Sequence, residues 1–168
     1  PGYSNTNLIT IDVQQNNNGL TSANRMLVAR ALNIKDAKDY GVYAPGGDGS
    51  KLDKLDVSWT QGTLGTTFQG QGIYVTGKAV SVTNCTAKQR RSGLNISGTD
   101  VVVKNNNFNG SGGCSSNQYA VNLGPTTADK LAGGLDFAGN TFGKGKCGMW
   151  IYQMKDLHIA DKAGAGVN

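Results

Sequence analysis

Two short patterns recur along the chain, and both alternate apolar and polar residues. The first places an apolar residue, an outward residue and a second apolar residue after a glycine: Gly41-Val42-Tyr43-Ala44, Gly72-Ile73-Tyr74-Val75, Gly93-Leu94-Asn95-Ile96 and Gly148-Met149-Trp150-Ile151, with Ala120-Val121-Asn122-Leu123 as a fifth copy. The second is apolar, any, apolar, then often Asn: Leu32-Asn33-Ile34, Leu55-Asp56-Val57, Val80-Ser81-Val82, Val101-Val102-Val103, Leu135-Asp136-Phe137 and Leu157-His158-Ile159. Alternation with period two marks short half-buried strands and not helices. The second pattern starts at 32, 55, 80, 101, 135 and 157, giving steps of 23, 25, 21, 34 and 22 residues. A supersecondary unit repeated at such a period cannot bury its apolar side alone, so the copies must stack.

The interleaved patterns predict an all-β solenoid with two strands per turn and about 25 residues per turn, a parallel β-helix. Short turns such as Thr76-Gly77-Lys78 and Ser97-Gly98-Thr99 would join the strands. Composition agrees. Among 168 residues there are 25 Gly and 17 Asn, types that favour turns and weaken helices. All 11 acidic residues are Asp, so Glu-based helix caps and Glu/Lys pairs are absent and any carboxylate chemistry must use Asp. The segments Asn105-Asn106-Asn107-Phe108 and Gly139-Asn140-Thr141-Phe142 suit a sharp corner after a strand. There Asn tolerates left-handed backbone, and its amide can form a ladder between turns.

With these motifs the chain resembles the right-handed parallel β-helix superfamily of pectate-lyase-like proteins, and within it bacteriophage tailspikes and depolymerases. The clearest stretch runs from Val101 through Phe108 to Tyr119-Ala120-Val121-Asn122-Leu123, and the likeness covers roughly residues 25 to 161. The expected division is an irregular lead-in with one strand over 1–24, the β-helix over 25–161 and a flexible end over 162–168. Residues 21–31 read as a single helix or an irregular strand. The resemblance implies a virion tailspike or receptor-binding protein that recognises a bacterial surface polysaccharide, with or without depolymerising it, commonly as a homotrimer in an extracellular or virion-tail setting. A non-catalytic shaft or adhesin segment and a secreted polysaccharide lyase are the alternatives.

Sixteen Lys and Arg against 11 Asp leave a net charge of +5, which favours anionic partners without naming one. Four Arg are too few for a nucleic-acid face, and no apolar run approaches the roughly 20 residues of a membrane span. Cys85, Cys114 and Cys147 are odd in number and irregular in spacing, which points to buried thiols rather than a disulfide framework or zinc ribbon. Asp48, Asp53 and Asp56 lack the spacing of a calcium loop, so neither metal nor cofactor is expected. The opening Pro1-Gly2-Tyr3 and the uncapped small residues of 160–168 lead to the expectation of a trimmed chain, or of a neighbouring subunit beyond its end.

Aligning the first pattern places Tyr43, Tyr74, Asn95, Asn122 and Trp150 in one outward column. Aromatic faces cover the C–H faces of sugar rings, and amides pair with hydroxyls, so the column suits an extended glycan. It suits a subunit interface or plain surface cover as well. Lys88, Arg90 and Arg91 are expected in loops beside it, where they would hold acidic sugars or supply a lyase base, or else be solvated loop charges. In the second pattern Asp136 and His158 are equivalent outward residues, and Asp156 lies two residues before His158. Such neighbours stand about 5 Å apart directly and about 7–8 Å diagonally, within range of an inverting glycosidase pair. A simple surface pair between His158 and Asp136 is the competing reading.

Overall fold

The computed structural model describes residues 9–14, 16–61, 70–90, 92–110, 119–123, 132–143, 147–151 and 154–160. They form strands β1 (Ile9–Asp12), β2 (Asn18–Thr21), β3 (Val28–Lys35), β4 (Tyr40–Ala44), β5 (Lys51–Ser58), β6 (Gln71–Lys78), β7 (Ser81–Thr83) and β8 (Thr86–Arg90). The series continues with β9 (Ser92–Lys104), β10 (Asn107–Gly110), β11 (Tyr119–Leu123), β12 (Ala132–Ala138), β13 (Thr141–Gly143), β14 (Cys147–Ile151) and β15 (Met154–Ala160). Their pairings are parallel, and each strand pairs with one laid down a full turn earlier or later. A chain that winds as a coil achieves this without crossover helices.

Each turn carries three strands, not the two expected. A first face stacks β2, β4, β6, the opening half of β9, β11 and β14. A second stacks the opening halves of β3 and β5, then β7, the closing half of β9, β12 and β15. A third stacks β1, the closing halves of β3 and β5, β8, β10 and β13. Because β3, β5 and β9 bend round corners, hydrogen bonding joins all the strands into one 15-stranded sheet.

The miscount has a local cause. Leu55-Asp56-Val57 and Val80-Ser81-Val82 read as successive copies of one pattern, yet they lie on different faces. Val82 stands over Leu52, and Ala87 stands over Val57. Both faces show the same apolar-x-apolar alternation, so period alone cannot distinguish a strand from its neighbour round the corner. Between β2 and β3 the backbone is a bend without helix.

The corner from the second face to the third is built at one register level. Arg30, Asp53, Thr83, Lys104 and Ala138 stack in order, and the residues after them all have positive φ. These are Ala31 (55°), Lys54 (56°), Asn84 (55°), Asn105 (57°) and Gly139 (62°). Asn and Gly adopt left-handed backbone with little strain. Ala31 and Lys54 are held there by the paired strand on either side.

The core runs up the middle of the coil. Val42, Ile73 and Leu94 form an inward column on the first face and are fully buried, with Val121 and Met149 continuing the same register. Opposite them stand Leu52, Val82, Val103 and Phe137 on the second face and Ile34, Val57, Ala87 and Phe108 on the third. Each large apolar side chain contributes about 1.5–3 kcal/mol by leaving water. The glycines of the first pattern mark where the chain enters the first face pointing inward. A Cβ on Gly72 would stand 2.5 Å from the Gly93 carbonyl oxygen and 2.8 Å from Ala87 Cβ, and one on Gly41 would overlap Val57 Cγ1.

Candidate functional site

The outward column assembles in the expected register: Thr21, Tyr43, Tyr74, Asn95, Asn122 and Trp150 are paired one above another. Asn122 and Trp150 enter through strand backbone alone; their side chains lie outside the described ones. Gly41 and Gly72 face inward at the corner, which leaves Tyr40 and Gln71 outward as a second, paired column beside the first.

Three tyrosines meet here. The rings of Tyr43 and Tyr74 are stacked, with centroids 5.3 Å apart and planes at 28°. Tyr40 stands edge-on to Tyr74 at 5.7 Å and tilted on Tyr43 at 4.6 Å. Stacking along the coil axis turns one face of each ring toward its neighbour, so the cluster presents ring edges and hydroxyls outward. All three side chains are half-buried. Burial raises the phenol pKa of Tyr40, helped by the nearby Tyr43 and Asp39, and burial raises that of Tyr74, helped by Tyr43 and Tyr40. Sequence reasoning missed Tyr40, because two successive inward residues, Gly41 and Val42, break the strict alternation that would have placed it. On the next turn, Asn95 Nδ2 donates to Gln71 Oε1 at 3.2 Å. A polar amide step thus follows the aromatic one.

Lys88 does not belong to this strip. It lies within β8 on the third face, in register with Ser58 and Asn109, and its Nζ is 4.0 Å from Asp56 Oδ2. Asp56 in turn accepts from Thr86 Oγ1 at 2.6 Å. Arg90 is the last residue of β8, in register with Gly110 on the same face. Arg91 lies outside the described residues.

Asp136 and His158 are register partners on β12 and β15, as the pattern implies, and Asp156 lies on β15 beyond Lys155, the partner of Gly133. The side chains of Asp156 and His158 are outside the described ones. Asp136 is ion-paired with Lys104 from the turn below. This group stands on the second face, whereas the tyrosine strip stands on the first. The two are separated by the corner in β9, where Gly98 has φ 145° and Asp100 φ 55°. The strip and the acidic residues are therefore two sites and not one.

Elsewhere the polar side chains hold the coil together. Asn106 is buried: Cys85 N donates to its Oδ1 at 2.7 Å, and its Nδ2 donates to Val82 O and Asn140 Oδ1, both at 2.9 Å. Asn140 Nδ2 continues to Val103 O at 2.9 Å, completing the amide ladder expected at this corner. Cys85 occupies the same corner one turn lower as a free thiol, and burial pushes its pKa up to about 12. Cys114 lies outside the described residues, and Cys147 is described by its β14 backbone alone. Among the described residues no three His, Cys, Asp or Glu side chains converge as a metal site would require.

A family model described as the right handed beta helix region matches residues 13–162. Neither the comparison with curated proteins nor that with solved structures returns a match. The parallel three-faced coil, its inward apolar columns and its corner amide ladder agree with that model over most of the chain, and the protein belongs to the right-handed β-helix family.

Proposed function

We propose that this β-helix recognises a polysaccharide along its first face, with a bacterial surface polysaccharide as ligand, in an extracellular or virion-tail receptor-binding role. The observation that carries the reading is the outward column in which tyrosine edges, side-chain amides and the Trp150 position follow one another at the strand spacing of about 4.8 Å. Ring edges and hydroxyls offer contact area and hydrogen bonds to a sugar, and the Gln71–Asn95 pair offers a second polar step one turn on. The bacterial ligand, the tailspike role and the homotrimer rest on the resemblance of the repeats alone.

Cleavage, if the protein carries it out, belongs to a separate place. Asp136, Asp156 and His158 lie on the second face, and a chain lying along the strip does not pass over them. Asp136 is engaged there by Lys104 of the neighbouring turn.

The test is binding of capsular and lipopolysaccharide glycans to the protein and to Tyr74→Ala and Trp150→Ala variants, alongside assays for reducing ends and for unsaturated ends. Binding lost in both variants with the fold intact supports the strip, and unchanged affinity in both removes it. The packing of tyrosine rings against one another also favours a second reading, a shaft whose first face packs on sister subunits. Measuring solution mass separates the two, because Tyr74→Ala would then shift the mass and leave glycan retention unmoved.

A further inference from the structure

The strands of the first face carry no charged residue. β2, β4, β11 and β14 contain none, and neither do Gln71–Thr76 of β6 nor Ser92–Ser97 of β9; Lys78 follows only after the Gly77 corner. The other two faces are dense in charge. On the second stand Arg30, Lys51, Asp53, Lys104, Asp136 and Lys155, and on the third stand Asp12, Lys35, Asp56 and Lys88. Several of these neutralise one another: Arg30 Nε lies 3.1 Å from Asp53 Oδ2, Lys35 Nζ 3.4 Å from Asp12 Oδ2, and Lys104 pairs with Asp136. In a chain of net charge +5, six stacked strands without charge form a segregated surface, and that surface is the one bearing the tyrosines and amides.

An anionic ligand on a protein surface draws affinity from cations that face it, and its carboxylates, sulfates or phosphates would otherwise lose hydration without compensation. No strand residue of the first face supplies such a cation. The corner below Tyr40 carries one charge of each sign, the exposed Lys38 and the half-buried Asp39, and so adds no net cation to the face. Arg91, Lys144 and Lys146 lie outside the described residues.

We propose, building on the glycan-binding reading above, that the first face selects uncharged polysaccharide, neutral or N-acetylated, and discriminates against carboxylated, sulfated and phosphorylated chains. Hydroxyls and acetamido groups find donors and acceptors in the phenols and in the Gln71–Asn95 pair, and sugar C–H groups and acetamido methyls find the tyrosine cluster. Recognition built this way is nearly independent of ionic strength, because no ion pair is screened.

The experiment is an array of matched oligosaccharides in free, N-acetylated, carboxylated and sulfated forms, probed with the intact chain at low and at about 0.5 M salt. The panel includes polygalacturonate and its full methyl ester, which share a backbone and differ in charge. Tyr74→Ala and Asn95→Asp are run alongside, with circular dichroism and thermal melting as checks of folding. The expected result is retention on uncharged forms alone, changing by less than about twofold with salt, lost in Tyr74→Ala and weakened in Asn95→Asp. Preferential retention on anionic forms that fades with salt overturns the selectivity; if Tyr74→Ala abolishes that retention, the strip survives as the binding site. Retention indifferent to both variants, or no retention on any form, overturns the strip and the selectivity together.

Discussion

Asn106 shows how much one side chain can hold when it sits at a corner of the coil. Its amide satisfies Cys85 N–H and Val82 C=O and passes a hydrogen bond on to Asn140, all in the interior. Truncation orphans a buried donor and a buried acceptor, each worth about 1–3 kcal/mol, so Asn106→Ala should destabilise by about 2–4 kcal/mol in denaturant unfolding. A loss below about 1 kcal/mol would show that water replaces the amide. Asp36 makes a different kind of contribution. Burial pushes its pKa up, but hydrogen bonds from Thr60 N at 2.6 Å, Gln61 Nε2 and Thr60 Oγ1, with Lys35 nearby, outweigh burial and hold it below the usual carboxylate range. The folded pKa lies below the unfolded one, so the unfolded chain binds more protons in this window and the contribution is lost as pH falls through it. Unfolding free energy measured from about pH 5 down to pH 2 should therefore fall less steeply in Asp36→Asn than in the parent. Equal slopes would remove Asp36 from the acid response. Asp53, also lowered despite burial by Asn84, Thr83 and the cations Lys54 and Arg30, keeps part of that slope in the variant.

Strands in this molecule are defined as much by what they exclude as by what they pair with. The glycines near the start of β2, β4 and β6 have no room for a side chain; at Gly72 an added methyl meets both the Gly93 carbonyl and Ala87. Gly72→Ala should destabilise by about 1–3 kcal/mol, and the double change with Ala87→Gly should recover only part, because the backbone contact remains. Full recovery would mean that Ala87 alone sets the constraint. The same inward glycines free Tyr40 and Gln71 to face outward, so a packing requirement of the core determines the composition of the proposed binding strip. On the second face Arg30, Asp53 and Thr83 neutralise or hydrogen-bond each other from successive turns.

Across the whole molecule, each turn touches only its neighbours, so stability is close to a sum of turn and interface contributions. The central turns have a complete partner above and below, while β1 pairs with β3 alone and Ile9 is 71% exposed. Native-state amide exchange should be slowest at Ile73, Val75, Leu94 and Ile96, all buried in the middle of the coil, and fastest in β1. Uniform protection from β1 to β9 would contradict this and indicate a single cooperative unit over that span. Segregation of charge is likewise a property of the coil as a whole, arising because one face is assembled from six segments spread between Asn18 and Ile151.

The strands that carry the two repeated patterns, the parallel coil, the inward column of Val42, Ile73 and Leu94 and the Asn corner ladder were legible in the sequence, whereas β8, β10 and β13 read as loop or corner. Each legible feature is written as a local period or a turn residue whose meaning does not depend on what lies opposite. The register of the first face was legible for the same reason, through its Gly marker. The number of faces was not. Val82 and Val57 look alike in sequence, and only the stacking of Val82 on Leu52 and of Ala87 on Val57 tells which corner separates them. Placement of Lys88 with Asp56 follows from that corner count. Sequence period sets which side of a strand is buried. Which strands share a face depends on where the chain turns, and those turns are fixed by left-handed residues such as Ala31 and Lys54, whose types give no warning of it.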